Sequence, residues 1–249
     1  MDVTLERVSD VVTERFFTVG DVRGVVWSPT GAKGPRPLIL LGHGGGQHKS
    51  SEAVVARAHH YVTNGGFMVA AIDAPGHGAR SQTGRGQQLL AAIRDKVSVD
   101  KPTASDLRRY NAELAARAIP DWQATLDALL AAGETTGPVG YWGVSLGAAL
   151  GIRLLVAEPR ITAAVLGLAQ GSALLALAES ITIPIEFLLQ WDDEFVSRER
   201  GLALFDAFAS VEKTLHANTG RHNEMPSFEM EGSQRFFSRH LLVGSESAQ

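Results

Sequence analysis

Short apolar runs recur along the chain and alternate with segments whose apolar residues follow helical spacing. Runs that are apolar at nearly every position are typical of strands buried on both faces of a parallel sheet. The pattern therefore predicts a doubly wound, mostly parallel α/β sheet. The predicted parallel strands are Leu38–Leu41, Phe67–Ile72, Val139–Trp142, Ala163–Leu168 and Ile185–Leu189.

Two β-rich runs precede the parallel strands. They are Thr13–Val19 and Arg23–Trp27, and Gly20-Asp21 between them is a hairpin turn signal. We therefore expect an antiparallel pair of strands at the N-terminal end of the sheet.

Helical spacing is clearest at Val54–Val62, between the first two parallel strands. Ser51 is the predicted N-cap of this helix, and Asn64-Gly65-Gly66 is its predicted end. This strand–helix–strand order indicates one βαβ crossover. Further helices are predicted at Pro120–Ala132, Leu146–Ala157, Ser197–Phe208 and Phe236–Leu241.

One segment interrupts the alternation. Residues 80–119 carry helical patterns but no strand pattern, over a length beyond that of ordinary loops. We interpret them as a helical cap or lid inserted into a single domain spanning residues 1–249. The alternative is an ordinary crossover helix with a long surface loop.

Composition narrows the functional classes. The chain has 249 residues, 45% of them hydrophobic and 20% charged, so it is long and apolar enough to form a substantial core. The net charge of −4 and the lack of basic runs argue against nucleic-acid binding. Without cysteine there is no disulfide, thiolate metal site or cysteine nucleophile. No signal peptide or membrane-spanning run is visible, so a cytoplasmic location is expected.

The pentapeptide Gly143–Gly147, GVSLG, lies between a predicted strand and a predicted helix. A strand that turns sharply through GxSxG into a helix places the serine hydroxyl on a strained bend above the sheet. The glycines are expected where a side chain would collide with a neighbouring strand or helix. Ser145 is therefore a candidate nucleophile, although the pattern also occurs in plain strand-to-helix turns.

Chemically active residues follow the other predicted strands as well. Ligands gather at the carboxyl ends of strands in open α/β sheets, so these segments are expected to meet. Serine, acid and histidine then occur in that order. The segments are His43–Lys49, Asp73–Gly78, Ser145, Asp192–Glu194 and, after a predicted strand at Lys213–Leu215, Gly220–His222.

These motifs together resemble those of the α/β-hydrolase superfamily, and most nearly its dienelactone-hydrolase-like and small carboxylesterase branch. The resemblance covers nearly the whole chain. Dienelactone hydrolases use a cysteine nucleophile, whereas this chain has Ser145 at that position. The resemblance implies an α/β-hydrolase fold and a catalytic triad.

Acyl transfer assigns a role to each residue. Ser145 needs a base to accept its proton, and His222 is the candidate. The base needs a carboxylate that holds its tautomer, for which we select Asp193. Val196 matches the small apolar residue that follows the acid in the family, but Gln190 replaces a common glycine, and Asp192 stays the alternative acid.

The oxyanion of the tetrahedral intermediate requires backbone N–H donors. Leu146 N–H, at the start of the helix after Ser145, is the first candidate. The resemblance places the second on Gly45, with Gly46 as the alternative. The glycine-rich loop lacks the GK[ST] of a P-loop and the spacing of GxGxxG, which argues against nucleotide binding.

The remaining histidines receive structural interpretations. His43 and His77 are expected to order their loops, and no carboxylate lies at helical spacing for a metal site there. His59-His60 and His216 are interpreted as exposed or hydrogen-bonded. Substrate contact at the pocket mouth, or plain solvation, is considered for His48, Arg80 and Arg85.

The leading hypothesis is a serine hydrolase that cleaves a small carboxylic ester or lactone through an acyl-Ser145 intermediate, without a metal or other cofactor. Peptidase or thioesterase activity on the same triad is an alternative. A different class of function is a non-catalytic module that binds a small ligand in a hydrolase pocket. Fold and triad define the reaction class, whereas pocket shape selects the substrate.

Overall fold

The computed structural model describes residues 1–34, 36–80, 104–133, 135 and 137–242. Its described strands form one mixed sheet with the order β1-β2-β3-β5-β4-β6-β7-β8-β9. The pairs β1–β2, β2–β3 and β3–β5 are antiparallel, and the remaining pairs are parallel. The strands are β1 Asp2–Val8, β2 Val12–Val19, β3 Val22–Pro29, β4 Leu38–Gly42, β5 Met68–Ile72, β6 Val139–Val144, β7 Ile161–Gly167, β8 Ile185–Gln190 and β9 Lys213–Asn218.

Helices cover both faces of this sheet. Those in the described residues are α1 Glu52–Gly65, α2 Ala104–Ala131, α3 Leu146–Ala157, α4 Ser172–Ala178, α5 Arg198–Ala207 and α6 Glu229–Leu241. The doubly wound α/β architecture and the hairpin turn at Gly20-Asp21, where Val19 pairs with Val22, are confirmed.

Neighbouring residues of the central strands pack into opposite cores. Leu38 and Leu40 of β4 lie in a core shared with α2, α3, α4 and α5. Ile39 and Leu41 lie in a second core shared with α1 and α6. All four side chains are buried, which explains why the strand is apolar at every position rather than at alternate ones.

The edge strand β1 was not predicted. All seven of its residues are exposed, and it pairs only with β2, so its sequence lacks the apolar run of a buried strand. Helix α4 was also missed. It is only seven residues long, too short for a helical repeat to be distinctive.

The predicted boundary at Ile119 and Pro120 does not exist in the structure. Helix α2 runs without interruption from Ala104 to Ala131 and contains Pro120. Of the proposed cap at 80–119, residues 104–119 therefore form the first part of the crossover helix. Residues 81–103, including Arg85, lie outside the described residues.

The start of α1 differs in detail from the expectation. Ser51 occupies the N-cap position with extended backbone, but its hydroxyl accepts from His48 N–H at 2.9 Å rather than from the helix. Gly66 closes the helix in the left-handed conformation, as predicted. No helix in the described ranges is both long and apolar enough to cross a membrane.

Candidate active site

Ser145 lies on the bend between β6 and α3 with φ 56° and ψ −118°. This backbone conformation is disfavoured for a residue with a side chain and costs on the order of 1–3 kcal/mol. It is held by two hydrogen bonds, from Ser145 N–H to Gly167 O and from Ala149 N–H to Ser145 O, both 3.0 Å. The sequence prediction of a sharp strand-to-helix turn at Ser145 is confirmed.

The glycines beside Ser145 allow α3 to approach the sheet closely. A Cβ on Gly147 would lie 2.6 Å from Gly42 O, and one on Gly143 would lie 2.7 Å from Gly147 C. The Tyr141 hydroxyl donates to Gly147 O at 2.7 Å and fastens the first turn of the helix to β6. The backbone therefore has no room for a side chain at either glycine.

Ser145, His222 and Asp193 form one continuous hydrogen-bond chain. His222 Nε2 lies 3.0 Å from Ser145 Oγ, and His222 Nδ1 lies 2.7 Å from Asp193 Oδ2. Because the carboxylate can only accept, Nδ1 carries the proton and Nε2 is free to accept the serine proton. The structure brings together the three residues selected from the sequence.

Asp193 and Asp192 face different partners. The Asp193 side chain has no exposed surface, and its Oδ1 accepts from Phe195 N–H and Val196 N–H. The Asp192 side chain is 55% exposed and pairs with Arg198 at 3.1 Å. Asp193 is thus the carboxylate in contact with His222, and Asp192 is not.

The loop that carries His222 is held by residues that the sequence did not single out for this task. Gln190, at the end of β8, donates from Nε2 to Thr219 O and Arg221 O. Glu194 accepts from His222 N–H at 3.0 Å, and this hydrogen bond lowers the pKa of the Glu194 carboxyl. Gln190, noted only as a departure from the family pattern, ties the loop to the sheet.

A cavity of about 590 Å³ opens beside Ser145 and His222. Gly45, Gly46 and Leu146 line it, and among the described residues no backbone acceptor binds the N–H of any of the three. Phe195 also lines the cavity, and its ring lies edge-on to His222 at 5.1 Å between centroids. The predicted oxyanion donors therefore border the same cavity as Ser145 and His222.

The glycine-rich loop is anchored through His43. Ala74 N–H donates to His43 Nε2, so Nδ1 carries a proton and donates to Gly44 O at 2.9 Å. The pKa of His43 is lowered to about 4, chiefly by burial and also by the neighbouring His77, against the opposing hydrogen bond to Gly44 O. A neutral His43 thus joins the loops after β4 and β5, as expected from the sequence.

Asp73 also connects the loops after β4 and β5. Its fully buried carboxylate accepts from Lys49 Nζ, Lys49 N–H and Ala79 N–H. Burial alone would raise the pKa of Asp73, but these three donors outweigh it and the pKa is lowered. The DAPGHG motif contained this residue, yet its role depends on a lysine 24 positions earlier, which spacing does not reveal.

Other residues considered from the sequence lie elsewhere. Arg80 binds Asp73 O and the Asp121 carboxylate, and so links the loop after β5 to α2 instead of facing the cavity. His48 accepts from Ser50 N–H. Among the histidines interpreted as structural, His77 does line the cavity.

No protein-family model and no curated protein matches the chain. Among solved structures, the PEG-bound complex of a novel cold-adapted esterase from an Arctic intertidal metagenomic library is 34% identical, with a TM-score of 0.80 over 97% of this chain and 100% of that one.

More distant structures share the fold. The Pyrococcus furiosus esterase Pf2001 is 17% identical with a TM-score of 0.65 over 92% of each chain. Est1E from Butyrivibrio proteoclasticus, with bound ferulic acid, is 13% identical with a TM-score of 0.67 over 90% of this chain and 98% of that one. Because the match to the Arctic esterase extends over nearly the full length of both chains, this protein belongs to the α/β-hydrolase family that includes it.

Proposed function

We propose that the protein hydrolyses small carboxylic esters or lactones through an acyl-Ser145 intermediate. The observation that carries the proposal is the hydrogen-bond chain from Asp193 through His222 to Ser145, which ends at the cavity. The similarity of this chain to the Arctic esterase supports ester bonds as the target.

Acylation begins with attack of Ser145 Oγ on the ester carbonyl carbon. His222 Nε2 accepts the hydroxyl proton as the new C–O bond forms. Asp193 keeps Nδ1 protonated and stabilises the positive imidazolium. The tetrahedral intermediate then expels the alcohol, which takes the proton from Nε2, and leaves an acyl-serine.

Negative charge develops on the carbonyl oxygen in each tetrahedral intermediate. The Leu146 and Gly45 N–H groups are the proposed donors to this oxygen, and loss of one such donor typically lowers kcat by about 10²–10³-fold. In deacylation, a water molecule gives its proton to His222 Nε2 and attacks the acyl carbon. The acid is released and Ser145 recovers its proton.

The cavity favours a small substrate with an apolar portion. Leu146, Ala149, Leu168 and Val196 are among the apolar residues that line it. The described part of the proposed cap contributes Tyr110 and Asn111. We retain a lid role for 80–119, the dienelactone-hydrolase-like branch and a cytoplasmic location as predictions from the sequence.

Hydrolysis of short p-nitrophenyl esters tests the proposal. The wild-type protein is expected to hydrolyse these esters. A fluorophosphonate is expected to label it on the peptide that contains Ser145. Ser145→Ala is expected to lose both, with kcat lower by about 10⁶-fold. Ser180→Ala, which removes an exposed hydroxyl, is the matched control and keeps full activity.

Other outcomes lead to other functions. If thioesters or peptides are cleaved faster than oxygen esters, the alternative acyl-transfer activities replace the ester proposal. If wild type neither turns over any of these substrates nor reacts with the probe, the non-catalytic binding module is the better interpretation. Equal activity in wild type and Ser145→Ala would refute Ser145 as the nucleophile.

A further inference from the structure

Three side chains with metal-ligating atoms converge beside the loop that carries His222. They are Glu186 on β8, His216 on β9 and Glu229 at the start of α6. One potential ligand atom from each lies within 4.8 Å of the other two. The three residues are far apart in the sequence, and the fold brings them together from two parallel strands and a helix.

The group is largely buried and already oriented. The side chains of Glu186 and Glu229 are 4% and 3% exposed, whereas that of His216 is 31% exposed and gives access from solvent. His216 Nδ1 lies 2.8 Å from Glu229 Oε2, and Nε2 lies 3.7 Å from Glu186 Oε2. Asn218 Nδ2 donates to Glu229 Oε1 at 2.8 Å and fixes that carboxylate.

Glu186 lacks a full set of partners. Its Oε1 is buried and makes no hydrogen bond to any described residue. A buried carboxylate oxygen without a donor is costly and calls for a ligand, an ion or a water molecule. The other oxygen, Oε2, lies 3.7 Å from His216 Nε2. The Glu186 side chain is therefore directed toward the other two members of the group.

Positive charge near Glu186 is insufficient. Burial raises the pKa of Glu186 to about 7; His216 opposes this shift, and the Glu229 carboxylate adds to it. Of the nearby arginines, Arg57 donates to Tyr61 Oη and Ser233 Oγ, and Arg235 pairs with Glu231. Two buried carboxylates therefore share one partly exposed imidazole.

We propose that Glu186, His216 and Glu229 bind one divalent metal ion, with Zn²⁺ the best match. An imidazole nitrogen and carboxylate oxygens are ligand atoms that zinc accepts, and a fourth position is left for water. Ligand atoms of a tetrahedral zinc at ~2.0–2.1 Å lie about 3.4 Å apart. The three candidate atoms lie within 4.8 Å of one another, so the side chains must move to reach that spacing.

The position of the site indicates a structural role. Residues 219–228 leave β9 just after His216 and Asn218 and return to α6 at Glu229, and this loop carries His222. An ion bound by His216 and Glu229 joins the two ends of the loop, and Glu186 joins both to β8. The site does not include Ser145, so metal binding is expected to stabilise the loop and not to perform the hydrolysis.

Isothermal titration of the full chain with ZnCl₂, after dialysis against a chelator, tests the proposal. Wild type is expected to bind one Zn²⁺ per chain. Glu186→Gln and His216→Gln are each expected to weaken that binding by at least about 100-fold, because losing a ligand should cost more than losing an outer-shell partner of a ligand. His59→Gln, which removes an exposed imidazole on α1, is the matched control and is expected to leave affinity within about twofold.

Thermal unfolding separates metal binding from a merely structural role of Glu186. Without metal, Glu186→Gln is expected to unfold at the same temperature as wild type or higher, because an amide replaces a carboxylate that lacks a partner. With saturating Zn²⁺ the order is expected to reverse, because only wild type gains stability. Anomalous scattering at the zinc edge should place the ion between the three side chains.

The same experiments can also overturn the proposal. Equal zinc affinity in wild type, Glu186→Gln and His216→Gln overturns the proposal, as does an anomalous peak only at His222 or at surface histidines. An unfolding temperature of wild type that zinc does not raise also overturns it. In that case the unpartnered Glu186 oxygen is satisfied by water.

Discussion

Asp192 and Asp193 are neighbours in the chain, yet their carboxylates serve different ends of the same turn. The Asp193 side chain is buried, and one of its oxygens accepts from two backbone N–H groups while the other faces His222. Asp192 binds the exposed Arg198 and Gly220 N–H. Only Asp193 can therefore set the tautomer of the proposed base.

Replacing Asp193 by Asn is expected to lower kcat by about 10⁴-fold, because an amide NH₂ facing Nδ1 favours the tautomer that cannot accept the serine proton. Asp192→Asn removes an exposed ion pair worth at most about 1 kcal/mol, so kcat should stay within about fivefold. Steady-state kinetics on a p-nitrophenyl ester measures both. A larger loss in Asp192→Asn would reassign the acid.

Residue identity could be predicted where chemistry restricts the choice. Ser145 and His222 were selected because a strand, a bend and chain order limit the candidates, and the structure places them in contact. Gln190 and Asp73 could not be given their roles, because their partners are loop backbone groups and a distant lysine. Such contacts exist only after the loops have closed.

Helix α3 approaches strand β4 closely where Gly147 meets Gly42. The elbow holds its shape because the first turn of α3 rests against the backbone at the end of β4. The same contact sets where Leu146 N–H lies relative to the glycine-rich loop that follows β4. The position of helix α3 is therefore linked to the geometry of the proposed oxyanion donors.

Gly147→Ala should push α3 away from β4, since the new methyl group would lie 2.6 Å from Gly42 O. Overpacking of this kind costs about 1–3 kcal/mol of unfolding free energy, and kcat should fall with it. Urea unfolding and ester hydrolysis measure the two effects.

Gly45→Ala is the control for stability, because the space around a Cβ at Gly45 is open. Its unfolding free energy should change by less than about 0.5 kcal/mol. If Gly147→Ala is no less stable than Gly45→Ala, the close approach of α3 to β4 is not what restricts this position.

Prediction of elements succeeded where burial made the pattern clear. The parallel strands β4 to β8 were found because both of their faces are apolar, whereas exposed β1 resembles a polar loop. Pro120 was taken as a helix start, as is common for proline, yet α2 continues through it. Packing of Trp122 and Leu126 into the main core accompanies this continuity.

At the scale of the whole molecule, stability is linked to pH through buried groups that stay neutral. His43 has a folded-state pKa of about 4 because of its burial, below its ordinary value of 6.5. The unfolded chain therefore takes up this proton more readily. The stabilisation is fully present above pH 6.5 and is lost as pH falls toward 4.

Between pH 7 and pH 5, protonation of His43 in the unfolded chain is expected to lower the unfolding free energy by about 2 kcal/mol. His43→Asn lacks this contribution, so its loss over the same range should be smaller by that amount. Urea unfolding at the two pH values measures the difference. Exposed His59→Gln serves as the control and should keep the wild-type slope; a His43→Asn slope equal to wild type would contradict the prediction.

The left-handed backbone at Ser145 also bears on attempts to engineer a more heat-resistant variant. Glycine at this position would relieve the disfavoured conformation and is expected to raise stability while removing the reactive hydroxyl. Stability and turnover are thus in conflict at this residue. Selection for thermal tolerance alone would favour inactive chains here, so stabilising substitutions should be sought in elements remote from the elbow, such as the exposed edge strand β1.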